Sequence, residues 1–236
     1  DLSIGGGGLF VNGGSPRLTD VTFTGNSANG FGEGGGMYVE NGASPVLTRV
    51  TFRGNRALQF GGGIYLNDGN LTLTDAVFIG NVADAPGPSD CYGGAIFVSG
   101  GTLTLSNAIF SGNLADQGGG IYAWGGTATL AGATFSGNQA VVTGGGISLA
   151  GGSITLTNSI LWGNTAPSAP QIGGAPAVTY SVVQMPNPGD APYSGAGNIN
   201  SDPLFVRGPS SGAGTLGDSD DDYGDLRLQS GSPAVD

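Results

Sequence analysis

The residues best suited to chemistry in this chain are carboxylates, and they gather in two places. The segment Asp218-Ser219-Asp220-Asp221-Asp222-Tyr223-Gly224-Asp225 sets aspartates at alternating positions ahead of a glycine. Closely spaced carboxylates of this kind converge on a hard cation, so Asp218, Asp220, Asp222 and Asp225 are the expected ligands of a calcium ion. The loop departs from the EF-hand pattern, because glycine falls at its seventh position and no Glu stands at the twelfth. A solvated acidic turn is the competing reading. The second gathering is Asp20 and Asp75, which occupy one column of successive repeats with Arg49 between them. Paired carboxylates roughly 5 to 9.5 Å apart could cleave a glycosidic bond. Arg49 in the gap favours a structural ion-pair row, and no catalytic residue is assigned.

The remaining reactive inventory is thin. A polysaccharide lyase needs a base to abstract a proton beside an anionic sugar. The chain has no Lys and no His, and of its six arginines only Arg49, Arg53 and Arg56 cluster. Cys91 is the single cysteine. It has no internal disulfide partner and no Lys or His to activate it, so an inert thiol is expected over an intermolecular bridge. A lyase or glycoside hydrolase remains the alternative to a non-catalytic protein.

Two regular columns point to contact rather than catalysis. Phe10, Tyr38, Tyr65, Phe97 and Tyr122 recur at one outward position, ending in Ser148, with Glu40 and Trp124 two residues further along the same face. At strand spacing these five rings form a stripe about 20 Å long, a platform for a glycan or another protein. Stacking that merely stabilises the sheet, or lies under a loop near Cys91, is the plainer reading. Thr72 and Thr74, Thr104 and Ser106, Thr127 and Thr129, and Thr155 and Thr157 form an outward hydroxyl grid, broken at Arg17, Val46 and Ala131. Such grids look like those of ice-binding proteins, although threonine is also the ordinary residue for the wet face of a strand.

What must position these residues is a repeat. A Phe-x-Gly-Asn tetrad recurs in six registers, the last with Leu161 for Phe, and closes at Asn26, Asn55, Asn81, Asn113, Asn138 and Asn164. Five residues before each Phe stands a leucine: Leu18, Leu47, Leu73, Leu105, Leu130 and Leu156. A period of 25 to 32 residues marks a solenoid. Each unit reads as three short strands, the first opened by glycine runs such as Gly34-Gly35-Gly36 and Gly118-Gly119-Gly120. Alternation as in Met37-Tyr38-Val39 is that of half-buried strand, and helical periodicity is absent. The 49 glycines lack the strict every-third-residue order of collagen. They suit bends where φ is positive and adjacent backbones approach closely. The Asn column is expected to hydrogen-bond from coil to coil, rather than to serve single turns. The fold expected is all-β: a single-stranded parallel β-helix of seven to eight coils over residues 1–184. Residues 185–236, proline-rich and without the repeat, are expected to add irregular coils that cap the open end.

Gly93-Gly94-Ala95-Ile96 and Phe110-Ser111-Gly112-Asn113 resemble the repeats of the polymorphic outer membrane protein family. The tail, with Ser201-Asp202-Pro203-Leu204-Phe205, Gly224-Asp225-Leu226-Arg227-Leu228 and Gly231-Ser232-Pro233-Ala234-Val235-Asp236, is similar to the end of choice-of-anchor Q domain proteins. These resemblances imply a right-handed parallel β-helix, bacterial, that is secreted or displayed at the cell surface. Both families are defined more by fold than by chemistry, so neither fixes an activity.

A net charge of −11 would repel nucleic acid and anionic lipid. No apolar stretch is long enough to span a membrane. Asp1-Leu2-Ser3-Ile4 already reads as strand, as expected of a mature or trimmed product. An uncapped first coil suggests head-to-tail self-association. The reading overall is an extracellular structural or adhesive protein that contacts a partner protein, its own copy or a glycan through Phe10, Tyr38, Glu40, Tyr65, Phe97, Tyr122 and Trp124.

Overall fold

The computed structural model describes residues 5–29, 34–85, 90–210 and 222–234. Its strands wind into a parallel β-solenoid with three faces. The first is a seven-stranded sheet beginning with Leu9–Asn12 and Met37–Glu40 and ending with Ile172–Gly173. Seven strands make six coil-to-coil steps, slightly fewer than the seven to eight coils expected. The second face is a ten-stranded sheet built on long strands such as Asn70–Ile79, Thr102–Ser111 and Thr127–Ser136. The third is a five-stranded sheet of short pieces, among them Arg56–Ala57, Val82–Ala83 and Leu114–Gln117.

The second and third strands expected in each unit are, in the central coils, the two arms of one bent strand. The bend is a single left-handed residue in a recurring register: Asp20, Arg49, Asp75, Asn107, Gly132, Asn158 and Tyr180, with φ between 50° and 65°. Asp, Asn and Gly tolerate that region, so most coils turn the corner at small cost. The third face escaped the sequence reading because its strands are two to five residues long and leave no room for alternation.

The glycine corners follow from close approach. Gly94 lies so near the next coil that an added Cβ would meet the Gly119 carbonyl oxygen at 2.4 Å and that of Leu114 at 2.6 Å. Its neighbour Gly93 has φ +68°, a conformation costly for most side chains. The tetrad works differently. Gly54, with φ +58°, has open space around it, and its turn sends the following Asn inward.

Inside, residues of the same type stack on themselves. Leu47, Leu73, Leu105, Leu130 and Leu156 are fully or almost fully buried in one ladder. Phe23, Phe52, Phe78, Phe110 and Phe135 stack with ring centroids 4.3 to 5.0 Å apart and planes within 9° of parallel. Each such contact adds about 0.5–1.5 kcal/mol beyond the area it buries.

The Asn column forms the expected ladder. Asn113 Nδ2 donates to Asn138 Oδ1 at 2.8 Å and to the Phe78 carbonyl at 3.0 Å. Its Oδ1 accepts the backbone N–H and the Nδ2–H of Asn81, both at 2.9 Å. Asn55, Asn81 and Asn138 repeat the pattern, so each buried amide uses both donors and both acceptor directions. At the far end Asn164 donates to Gln171 Oε1, and Gln171 passes the chain to Gln184.

The tail divides into two parts. Residues around Tyr193 to Asn200 close the last coil: Asn198 donates to the Val178 carbonyl and accepts from the Ser181 N–H, while Tyr193 packs on the core. Further on, the strands Phe205–Arg207 and Asp225–Leu228 pair antiparallel and lie along the side of the coils. There Ser111 Oγ donates to the Tyr223 carbonyl and the Arg53 guanidinium lies 5.4 Å from the Tyr223 ring centroid. Among the described residues no helix is long and apolar enough to cross a membrane.

Candidate functional site

The aromatic column of the first face is real as a stack and differs from expectation in its exposure. Phe10, Tyr38, Tyr65, Phe97 and Tyr122 follow one another with centroids 5.0 to 5.6 Å apart. Tyr38, Tyr65, Phe97 and Tyr122 are buried, and only Phe10 stands out, at 40% exposure. Phe60 and Tyr92 pack against them: Phe60 stacks on Phe97 at 4.9 Å and Tyr92 lies 4.5 Å from Tyr122. An open platform of five rings is therefore corrected to a roofed ladder, because covering large apolar faces is favourable wherever a neighbouring loop can reach them.

Phe60 and Tyr92 are the residues that sequence reasoning missed. Both stand immediately before a glycine run, in a register continued by Gln117 and Thr143. That column was legible in the alignment of repeats. Its direction was not, because it lies in a loop between sheets.

What stays open is the column two residues on: Asn12, Glu40, Asn67, Ser99, Trp124 and Ala150. Glu40 and Asn67 tie it to the roofed rings. Tyr38 Oη donates to Glu40 Oε2 at 2.7 Å, Asn67 Nδ2 donates to Tyr38 Oη at 3.2 Å, and Tyr65 Oη donates to Asn67 Oδ1 at 3.3 Å. Trp124 is 61% exposed, and its indole N–H has no partner among the described residues. From Glu40 to Trp124 is three coil steps, about 14 Å at strand spacing. The edge thus offers a fixed row of hydrogen-bonding groups ending in an exposed ring. Phe10 stands beside Tyr38 in the neighbouring column, one coil step away.

The carboxylates are largely engaged. Arg49 grips Asp20 through two bonds of 2.6 and 2.8 Å, and these hold the Asp20 carboxyl below its ordinary range. Asp75, the other half of the paired-carboxylate reading, accepts from Asn107 Nδ2 at 3.2 Å. Of the expected calcium ligands, Asp218 and Asp220 lie outside the described residues. Asp222 accepts from the Gly224 N–H and from Arg207, both at 2.9 Å, which lowers its pKa. Asp225 binds Arg227, and that contact brings its pKa down to about 2. Among the described residues no three metal-ligating side chains form a group that could hold an ion.

Cys91 is buried and not disulfide-bonded. Its sulfur accepts the Ala85 N–H at 3.2 Å and faces the Leu58 carbonyl at 3.4 Å. Burial pushes its thiol up to about 11, which leaves it protonated and unreactive at neutral pH. Near the last coils a cleft of about 480 Å³ is lined by Asn158, Tyr180, Gly197 and Ile199 among others. Tyr180 forms its exposed wall, 65% accessible and at a left-handed corner.

The winding, the glycine corners and the stacked interior define a parallel β-solenoid. The family described as right handed beta helix region matches residues 3–140, more than half of the chain. The chain belongs to that family. No curated protein and no solved structure matches it.

Proposed function

We propose that this chain is a secreted or surface-displayed structural and adhesive β-helix that holds a neutral glycan strand along its lateral edge without transforming it. The observation that carries the reading is the row Glu40, Asn67, Ser99 and Trp124. Pre-bonded polar groups fix the direction of hydrogen bonds to sugar hydroxyls, and the exposed indole offers a face for a sugar ring. A rigid coil spacing suits a polymer that also repeats. The acidic surface favours neutral over anionic glycans. The similarity of the repeats to polymorphic outer membrane proteins, and of the tail to choice-of-anchor Q domain proteins, supports the extracellular placement.

The test is binding to a panel of immobilised neutral and acidic glycans, with Trp124→Ala and Glu40→Gln as variants. Saturable binding to neutral chains that Trp124→Ala weakens about tenfold or more is expected, the loss of one buried aromatic contact. Binding that ignores both substitutions, or no glycan binding alongside capture of a second copy or a protein partner, would overturn the assignment to this edge.

A further inference from the structure

The second face carries a different surface, on another sheet from the aromatic ladder. Strand registers place Asn70, Thr102, Thr127 and Ser153 in one column and Thr72, Thr104, Thr129 and Thr155 in the next. The third column runs Thr19, Thr48, Thr74, Ser106, Ala131, Thr157 and Thr179. The second column continues through Val46 to Arg17 at the first coils; none of the positions from Asn70 onward in these columns is charged. Their spacing is about 4.8 Å between coils and about 7 Å along a strand. The array is exposed or half-exposed throughout.

Two features set it apart from an ordinary wet strand face. Among the described residues, the hydroxyls of Thr72, Thr104, Thr129 and Thr155 have no protein partner. Direct bonds inside the array are long, 3.4 Å from Ser106 to Thr74 and 3.4 Å from Ser153 to Thr127. The β-branch also restricts χ1, so threonines stacked in register on a parallel sheet favour one orientation. The result is an array of alternating hydroxyl and methyl groups, interrupted at Ala131, with most of its donors and acceptors facing solvent.

We propose that this array binds ice. Its two repeat distances are close to the spacings of oxygen rows on an ice surface, and an uncharged hydroxyl lattice can anchor water in that arrangement. Charged side chains would instead hold water in shells of their own. Each hydroxyl contributes little, but a rigid array engages many sites at once, so that release requires all to break together. The third column, six steps long and interrupted at Ala131, spans about 29 Å. This inference uses a different face from the proposed glycan edge and stands or falls separately.

The experiment measures thermal hysteresis and inhibition of ice recrystallisation with the purified full chain. The variants are Thr104→Lys with Thr129→Lys in the array, and Val141→Lys on the third face, where Val141 is already 57% exposed. Unchanged circular dichroism melts establish that each variant folds. Activity in the parent and in Val141→Lys, reduced about tenfold or more in the double variant, is the expected result. No effect of the parent on ice would overturn the proposal. So would activity that the double variant keeps, or that Val141→Lys loses equally. Retention on crystalline cellulose or chitin without ice activity would overturn it too, reassigning the array to a polysaccharide surface.

Discussion

Replacing Asn113 by leucine tests the ladder that ties the coils together. Leucine matches asparagine in branching but is bulkier, so overpacking of about 1–3 kcal/mol adds to the hydrogen-bonding cost. Asn113 Oδ1 is the acceptor for both the backbone N–H and the Nδ2–H of Asn81. Its own Nδ2 serves the Phe78 carbonyl and Asn138 Oδ1. Asn81 and Asn138 are both fully buried, so water cannot replace what is lost. Each orphaned buried group costs about 1–3 kcal/mol, and the two stranded donors of Asn81 alone bring the loss to about 4 kcal/mol. At Asn26, the first rung, the arithmetic differs. Its side chain gives one bond to Asn55 Oδ1, and that oxygen keeps the bond from the Asn26 backbone N–H. Asn26→Leu should therefore cost about 1 kcal/mol. Urea denaturation followed by circular dichroism gives both values from the midpoint shift at constant slope. If Asn113→Leu falls within about 1 kcal/mol of the parent, or if the two variants lose the same amount, the ladder does not carry the stability argued here.

Further outcomes follow from the same geometry. Gly119→Ala drives a Cβ to within 2.3 Å of the Gln139 carbonyl oxygen and should lower the melting midpoint far more than Gly54→Ala, whose added carbon meets nothing; paired thermal melts decide it. Tyr180 occupies a left-handed corner at φ 50°, so Tyr180→Asn should be neutral or stabilising by up to about 1 kcal/mol despite the lost ring, as measured by denaturant midpoint. The Cys91 thiol is pushed up from 9.0 to about 11 in the fold, so its contribution to stability is complete below pH 9 and is lost as pH rises towards 11. Melts between pH 8 and 11 should fall less steeply in Cys91→Ala than in the parent. For calcium, any ion at the acidic turn must draw Asp222 and Asp225 away from Arg207 and Arg227. Millimolar calcium should therefore raise the melting midpoint less in the parent than in Arg207→Gln; an equal response in both would place the ion elsewhere.

The sequence by itself determined the period, the inward leucine and phenylalanine columns and the Asn ladder. Stacking identical units forces like residues onto like, so a column in the alignment is a column in space, and Leu105 on Leu130 or Asn81 on Asn113 follows without further information. It also determined the polar character of the hydroxyl array, since period-2 alternation fixes which residues face outward. Facing outward from a strand is not the same as facing solvent, and that distinction only the tertiary structure made. Tyr38, Tyr65, Phe97 and Tyr122 point away from the coil interior yet are buried, because Phe60 and Tyr92 arrive from a corner loop whose direction no periodicity encodes. The position of the tail was decided in the same way. Proline content announced an irregular segment after the last coil, but whether it closed the end or lay along the side depended on long-range contacts, such as Tyr223 with Ser111 and Arg53. Local pattern sets which face a side chain leaves by. Only packing sets what it meets there.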